Sequence, residues 1–205
     1  MTLRSDRIRG RLPIVTLAVA ALTLVAGTFE ATASSLQLDR AACASGELWR
    51  LWTGHLAHWS GAHLAWDLAM FVALGATIER ASRARFVGLV ALSASAVSAS
   101  VLLLTPLETY RGLSGVDAAL FVTAAIELAG SRSRRSWIGA AALGAFLVKV
   151  SIEVVTGRSI FVENLAPGVG NVPLAHLAGA AVALVAAGGR GIYVSRRVLG
   201  IGGLA

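Results

Sequence analysis

A single cysteine, Cys43, occurs among 205 residues, so no disulfide can form within the chain and paired-cysteine metal motifs are excluded. Charge is scarce too. Only 14% of residues are charged against 56% hydrophobic, too little polarity to cover a water-soluble domain of this length, and mean hydropathy is +0.73. Internal repeats and low-complexity linkers are lacking, and no room remains for a second soluble domain, so residues 1–205 read as one transmembrane domain. A net charge of +7 raises the question of nucleic acid, but the arginines stand in short clusters between apolar runs. That pattern belongs to membrane topology, and no nucleic-acid partner is expected.

What is present is a series of six apolar runs, at about 13–29, 61–78, 86–105, 113–130, 136–156 and 173–194. Each is long enough to approach the roughly 20 residues that a spanning helix needs. Helices are the expected form, because a backbone facing lipid must satisfy its own hydrogen bonds. The predicted fold is an all-α membrane protein of six transmembrane helices in contact with lipid.

Alternate connections differ sharply in positive charge. One side collects Arg4, Arg7, Arg9, Arg11, Arg80, Arg83, Arg85, Arg132, Arg134, Arg135, Arg190, Arg196 and Arg197, which is 13 of the 18 basic residues; the other has Arg40, Arg50, Arg111 and Arg158. The positive-inside rule then puts both termini in the cytoplasm. The expected location is the cell inner membrane or plasma membrane, with several passes. A basic start followed by an apolar stretch and Ala31-Thr32-Ala33 also fits a cleaved signal peptide. The longest polar connection, about 30–60, falls outside the cytoplasm, and a loop of that length usually has a function or its own fold.

With this orientation the second, fourth and sixth runs all begin at the extracytoplasmic side. His58 and His63 stand at the start of the second, Ser114 at the start of the fourth, and His176 just after Pro173 at the start of the sixth. Ser114 lies between Gly112 and Gly115, which permit close backbone approach. A helix N-terminus there offers unpaired amides suited to an oxyanion, and an imidazole in reach can take the serine proton. Taken alone, Gly-x-Ser-Gly in a membrane helix is more often packing, and a lone histidine is often a packing residue. Their convergence at one depth favours chemistry. Ala175, Gly179, Ala183 and Ala187 form a small-residue stripe beside His176; if the fourth helix packs there, Ser114 and His176 can meet.

These residues resemble the rhomboid intramembrane serine proteases. Trp49-Arg50, followed by Thr53 and His58, resembles the family's Trp-Arg element, and His58, His63 and Asp67 stand where it has two histidines and an asparagine. Gly75 to Glu79 resembles the far end of that helix, Gly112-Leu113-Ser114-Gly115 the Gly-x-Ser-Gly motif, and His176-Leu177-Ala178-Gly179 the His-x-x-Gly motif, over most of residues 47–190. The resemblance implies a Ser114 and His176 dyad open to the extracytoplasmic side. It also implies an oxyanion or orienting group of His63, Asp67 and Gly112, with Trp49, Arg50, His58, Gly115 and Gly179 as structural positions. The substrate implied is a transmembrane or near-membrane segment, and neither metal nor organic cofactor is expected. The short chain and the segment Trp52 to His58 resemble most the rhombosortase branch, which implies removal of C-terminal sorting tails.

Two departures stand out. Asp67 replaces an asparagine on the same face as His63: ionised it repels an oxyanion, neutral it donates to one, and paired with His63 or His176 it orients an imidazole. Ala118 stands where many relatives have an aromatic residue, with the carboxylate of Asp117 beside it. Elsewhere, Lys149 and Glu153 are spaced to pair along the fifth helix as structural neutralisation, and Glu127 lies near Arg132. Two other classes stay open: a catalytically inactive rhomboid-like protein that binds membrane segments, and a small transporter using Lys149, Glu153 and Asp67.

Overall fold

The structure, a computed structural model, describes residues 12–157 and 172–198, without the side chains of 190–198. Arg4, Arg7, Arg9, Arg11, Arg158 and the side chains of Arg190, Arg196 and Arg197 therefore lie outside the described residues. Each of the six apolar runs folds as a helix: α1 Ile14–Thr28, α5 Gly61–Ala81, α6 Arg83–Leu104, α7 Ser114–Ala129, α8 Ser136–Thr156 and α9 Pro173–Val198. Three short helices, α2 Glu30–Leu36, α3 Arg40–Ala44 and α4 Arg50–Thr53, fill the long connection after α1. One short ladder accompanies the helices. Leu38–Asp39 (β1) pairs antiparallel with Thr109–Tyr110 (β2), in the register Leu38 to Tyr110 and Asp39 to Thr109.

By length and composition α5, α6 and α8 can each cross a membrane, and α1 with α2, bent by 119° at extended Phe29, makes a fourth candidate. At 16 residues, α7 is shorter. Apolar side chains are not confined to the interior, nor polar ones to the surface. Leu22, Leu92, Leu103, Leu147, Val155 and Val185 face outward, while Thr16, Asp67, Ser93, Ser98, Asp117 and Glu153 are buried. Exposed apolar surface of this extent needs an apolar surrounding.

Buried polar groups settle how the helix ends are held. The first turn of a helix has amides without intrahelical partners, and those of α1 reach the buried carboxylate of Glu79 on α5. Val15 N–H donates over 3.1 Å, Thr16 N–H over 2.8 Å and the Thr16 hydroxyl over 2.9 Å. At the opposite end of the protein, Arg40 donates to the carbonyls of Leu102, Thr105 and Leu107 at 2.7–3.2 Å, closing the C-terminus of α6. Glu127, which the sequence puts within reach of solvent or Arg132, is partly exposed and forms a salt bridge with Arg85 of α6.

The long connection does have its own fold, fastened by arginines. Arg50 donates to the carbonyls of Gln37 and Ser34 and to Glu47. Arg111 donates to Glu30, Gln37 and Ser34 and lies 4.2 Å above the Trp59 ring. Arg111 holds the Glu30 carboxyl down to about 2 through their hydrogen bond. Because Glu30 is exposed, that pair contributes at most about 1 kcal/mol.

At the centre, α9 packs on α7 and α6, and α8 packs on α7. The core joins Phe71 and Ile78 of α5, Phe86 and Leu89 of α6, and Val116 and Leu120 of α7. The small-residue stripe of α9 meets α7: a Cβ on Gly179 would stand 1.9 Å from the Gly115 carbonyl oxygen, and one on Gly115 2.9 Å from the Ala175 carbonyl oxygen. Gly179→Ala should therefore lower the thermal midpoint in detergent, at a cost of about 1–3 kcal/mol or more. Gly144→Ala, whose new methyl meets nothing within 4 Å, should leave it unchanged or raise it. Equal behaviour of the two variants would contradict the close contact.

Candidate functional site

Ser114 is the first residue of α7, and the turn before it is tightly specified. Gly112 has φ +128°, a left-handed value that disfavours any side chain, and a Cβ there would lie 2.9 Å from the His63 ring. Its N–H donates to the Gly54 carbonyl over 3.3 Å, and its carbonyl lies 3.1 Å from His55 Nδ1. The first intrahelical bond of α7 runs from Asp117 N–H to Leu113 O. The amides of Ser114, Gly115 and Val116 thus precede it, at the positive end of the helix dipole.

His63 sits in the first turn of α5, where Ser60 caps the helix by accepting the His63 N–H over 3.1 Å. Asp67 follows one turn later. Its Oδ2 accepts the Leu113 N–H at 2.9 Å and lies 3.1 Å from His58 Nε2 and 3.3 Å from His63 Nε2. Asp67 therefore ties α5 to the turn before Ser114 and engages two imidazoles, and His176 is not among its partners. One carboxyl oxygen thus meets three nitrogens from two separate segments. The rings of His58 and His63 meet edge to face at 4.9 Å. His58, His63 and Asp67 each offer a ligand atom within 4.8 Å of the others, a set that suits a divalent metal. The Leu113 amide and both imidazoles already surround the carboxylate oxygen, so hydrogen bonding accounts for the cluster.

His176 lies in the first turn of α9. Its Nδ1 is 2.9 Å from Glu153 Oε2, and Lys149 Nζ is 3.1 Å from Nδ1 and 3.5 Å from Nε2. Lys149 also donates to Glu153 Oε2 over 2.9 Å. The pair suggested by the spacing in α8 does form, but it includes the histidine. Gly115 against Ala175 brings the neighbours of Ser114 and of His176 together. Asp117, buried in the first turn of α7, has neither carboxylate oxygen hydrogen-bonded among the described residues.

Two further residues, Tyr110 and His55, were not singled out in the sequence. Buried Tyr110 donates to the Gly112 carbonyl over 3.4 Å and interacts with the Ser114 side chain; burial and then the Asp67 charge push its hydroxyl well above the ordinary tyrosine range. His55 holds the Gly112 carbonyl with one ring nitrogen and lies 3.0 Å from the Ala94 carbonyl with the other. Its one sequence signal was its place in the segment Trp52 to His58. Glu153 carried the spacing signal that pairs it with Lys149, and the spacing did not give its contact with His176. Of the structural positions, Trp49 is exposed at the edge of α4, and Arg50 braces the long connection.

The model for the family described as Rhomboid domain matches residues 45–191. No curated protein is significantly similar to the chain.

Burial lowers the pKa of His55 from its ordinary 6.5, so the folded state keeps the ring neutral. The unfolded chain binds the extra proton first on acidification. This contribution to stability is complete above about pH 6.5 and declines as pH falls below it. Thermal midpoints across that range should fall more steeply for the wild type than for His55→Gln; parallel curves would contradict a buried neutral ring.

Proposed function

Since the chain belongs to the rhomboid family and has several apolar helices suited to a multi-pass membrane protein, we propose that it is an intramembrane serine endopeptidase. Ser114 is the nucleophile and His176 the general base. The observation that carries this reading is the backbone contact of Gly115 with Ala175 and Gly179, which sets the first turns of α7 and α9 against each other.

The proposed sequence of steps uses only this chain's groups and water. Ser114 Oγ attacks the scissile carbonyl carbon while its proton passes to His176 Nε2. The oxyanion is received by amides at the start of α7 and by His63, and Asp67 holds His63 and the Leu113 amide in place. Collapse expels the amine, which takes the proton from His176 and leaves an acyl-Ser114. Water, deprotonated by His176, then attacks the acyl carbon, and the serine recovers its proton.

All of residues 1–205 form one domain in this reading, with six passes, both termini in the cytoplasm and the site open to the extracytoplasmic side. A helix of 16 residues is about 24 Å long, against about 30 Å of hydrocarbon. The turn before Ser114 then lies below the outer surface, at a depth where irregular backbone persists only when buried in protein. Tyr110, Arg111 and Leu113 of that turn are buried. Cleavage of α1 as a signal peptide would leave Glu79 without the amides it now accepts, which favours an uncleaved first helix. The substrate is a transmembrane or juxtamembrane segment of an anchored protein, and C-terminal sorting tails follow if the rhombosortase likeness holds. The residue at 67 keeps a second reading in view: a carboxylate beside the oxyanion site fits a family member that binds membrane segments without cutting them.

A fluorophosphonate probe separates the two. Wild-type protein in detergent should be labelled covalently, with labelling abolished in Ser114→Ala and reduced at least about 10²-fold in His176→Ala. A folded wild type that resists the probe would contradict the protease reading and favour the non-cleaving one.

A further inference from the structure

A carboxylate deep in a protein is costly unless charge and hydrogen bonds offset its lost hydration. Glu153 has no exposed surface, and one salt bridge to Lys149 would have met that need. Instead its Oε2 is shared between Lys149 Nζ and His176 Nδ1, each 2.9 Å away. The spacing of four residues puts both α8 side chains on one face, and that face meets the first turn of α9.

We infer that Glu153 is a positioning residue for His176, accepting a hydrogen bond from Nδ1–H so that the Nε2 lone pair is free for the Ser114 proton. This rests on the reading of Ser114 and His176 as nucleophile and base. It extends the pair to a relay of three groups on α7, α9 and α8. A neutral imidazole carries its single proton on either nitrogen, and an acceptor beside Nδ1 selects the tautomer with Nε2 unprotonated. Lys149 Nζ, 3.1 Å from Nδ1 and 3.5 Å from Nε2, is the competing donor; its contact with Glu153 Oε2 is the shorter one at 2.9 Å, which leaves the carboxylate to meet Nδ1–H. When Nε2 takes the serine proton, the ring becomes cationic and Glu153 stabilises it without itself accepting a proton. Lys149 acts in the opposite sense. Its ammonium neutralises Glu153 while the ring is uncharged and opposes excessive stability of the imidazolium, which must later release its proton to the leaving amine. Neither remaining carboxylate near the site is bonded to Nδ1. Asp67 is occupied by His58, His63 and the Leu113 amide, and neither oxygen of Asp117 has a hydrogen-bond partner among the described residues.

Three measurements on detergent-solubilised full-length protein test this. The first is the tautomer of His176 by ¹⁵N NMR of histidine-labelled wild type, which needs no activity. The second is the rate of fluorophosphonate labelling across pH in wild type, Ser114→Ala, Glu153→Gln and the double variant Lys149→Met with Glu153→Gln. The third is the thermal midpoint of each. The double variant leaves no uncompensated buried lysine, so it carries the comparison if the single variant folds poorly. The expected results are an Nδ1–H tautomer in the wild type that is lost on Glu153→Gln, and labelling slowed by roughly 10²-fold or more with an altered pH profile in folded variants. A wild-type ring protonated at Nε2 would overturn the inference. So would wild-type rate and pH profile in both Glu153 variants while Ser114→Ala stays unlabelled, leaving the nucleophile intact and Glu153 purely structural. Equal labelling of Ser114→Ala and wild type would remove the underlying reading, and this inference with it.

Discussion

With a Cβ on Gly179 only 1.9 Å from the Gly115 carbonyl oxygen, α7 and α9 touch backbone to backbone, and no other residue type fits at that position without separating them. In a lipid surrounding the hydrophobic effect does little to hold helices together, so close packing of small residues takes over that task. The contact has a positional consequence. It aligns the N-terminal turns of two helices from distant parts of the sequence, one starting with Ser114 and the other containing His176. Moving α9 outward by a methyl group would spread those turns while leaving both helices intact.

Around this contact the interior is organised by three buried carboxylates, each in a different setting. Glu79 closes the start of α1, Asp67 joins two imidazoles to the turn before Ser114, and Glu153 shares a lysine with His176. Each engages donors from an element far away in sequence, so each fixes a tertiary relation that apolar contacts alone leave loose. Arginines do the same work at the loops: Arg40 closes α6, and Arg50 and Arg111 fasten the long connection. Polar groups thus specify the arrangement and apolar surface faces outward, as expected where the solvent is hydrocarbon.

Much of this was legible in the sequence, for identifiable reasons. Apolar runs mark helices because length and composition suffice, and α5 begins at Gly61 as its run does. Boundaries moved where a cap intervened: α6 begins at Arg83 instead of about 86 because Ser82 accepts the Arg85 amide and starts the helix through polar residues. The alanine and glycine stripe of α9 announced a close neighbour without naming it. Partners between distant elements were beyond reach, because periodicity describes one helix at a time. The spacing of Lys149 and Glu153 gave their pairing but not His176, and the position of Asp67 gave His63 but not the Leu113 amide. The β1 and β2 pair was invisible for the same reason, since two residues per strand carry no alternation.

Whether Ser114 and His176 act together is tested by determining the structure of the protein after reaction with a small fluorophosphonate. A phosphonyl group is expected on Ser114 Oγ, with its free oxygen directed at the first amides of α7 and at His63, and His176 facing the serine oxygen across the contact of Gly115 and Gly179. A phosphonyl group on a different side chain, or one turned away from His63 with His176 remote from Ser114, would contradict their joint action.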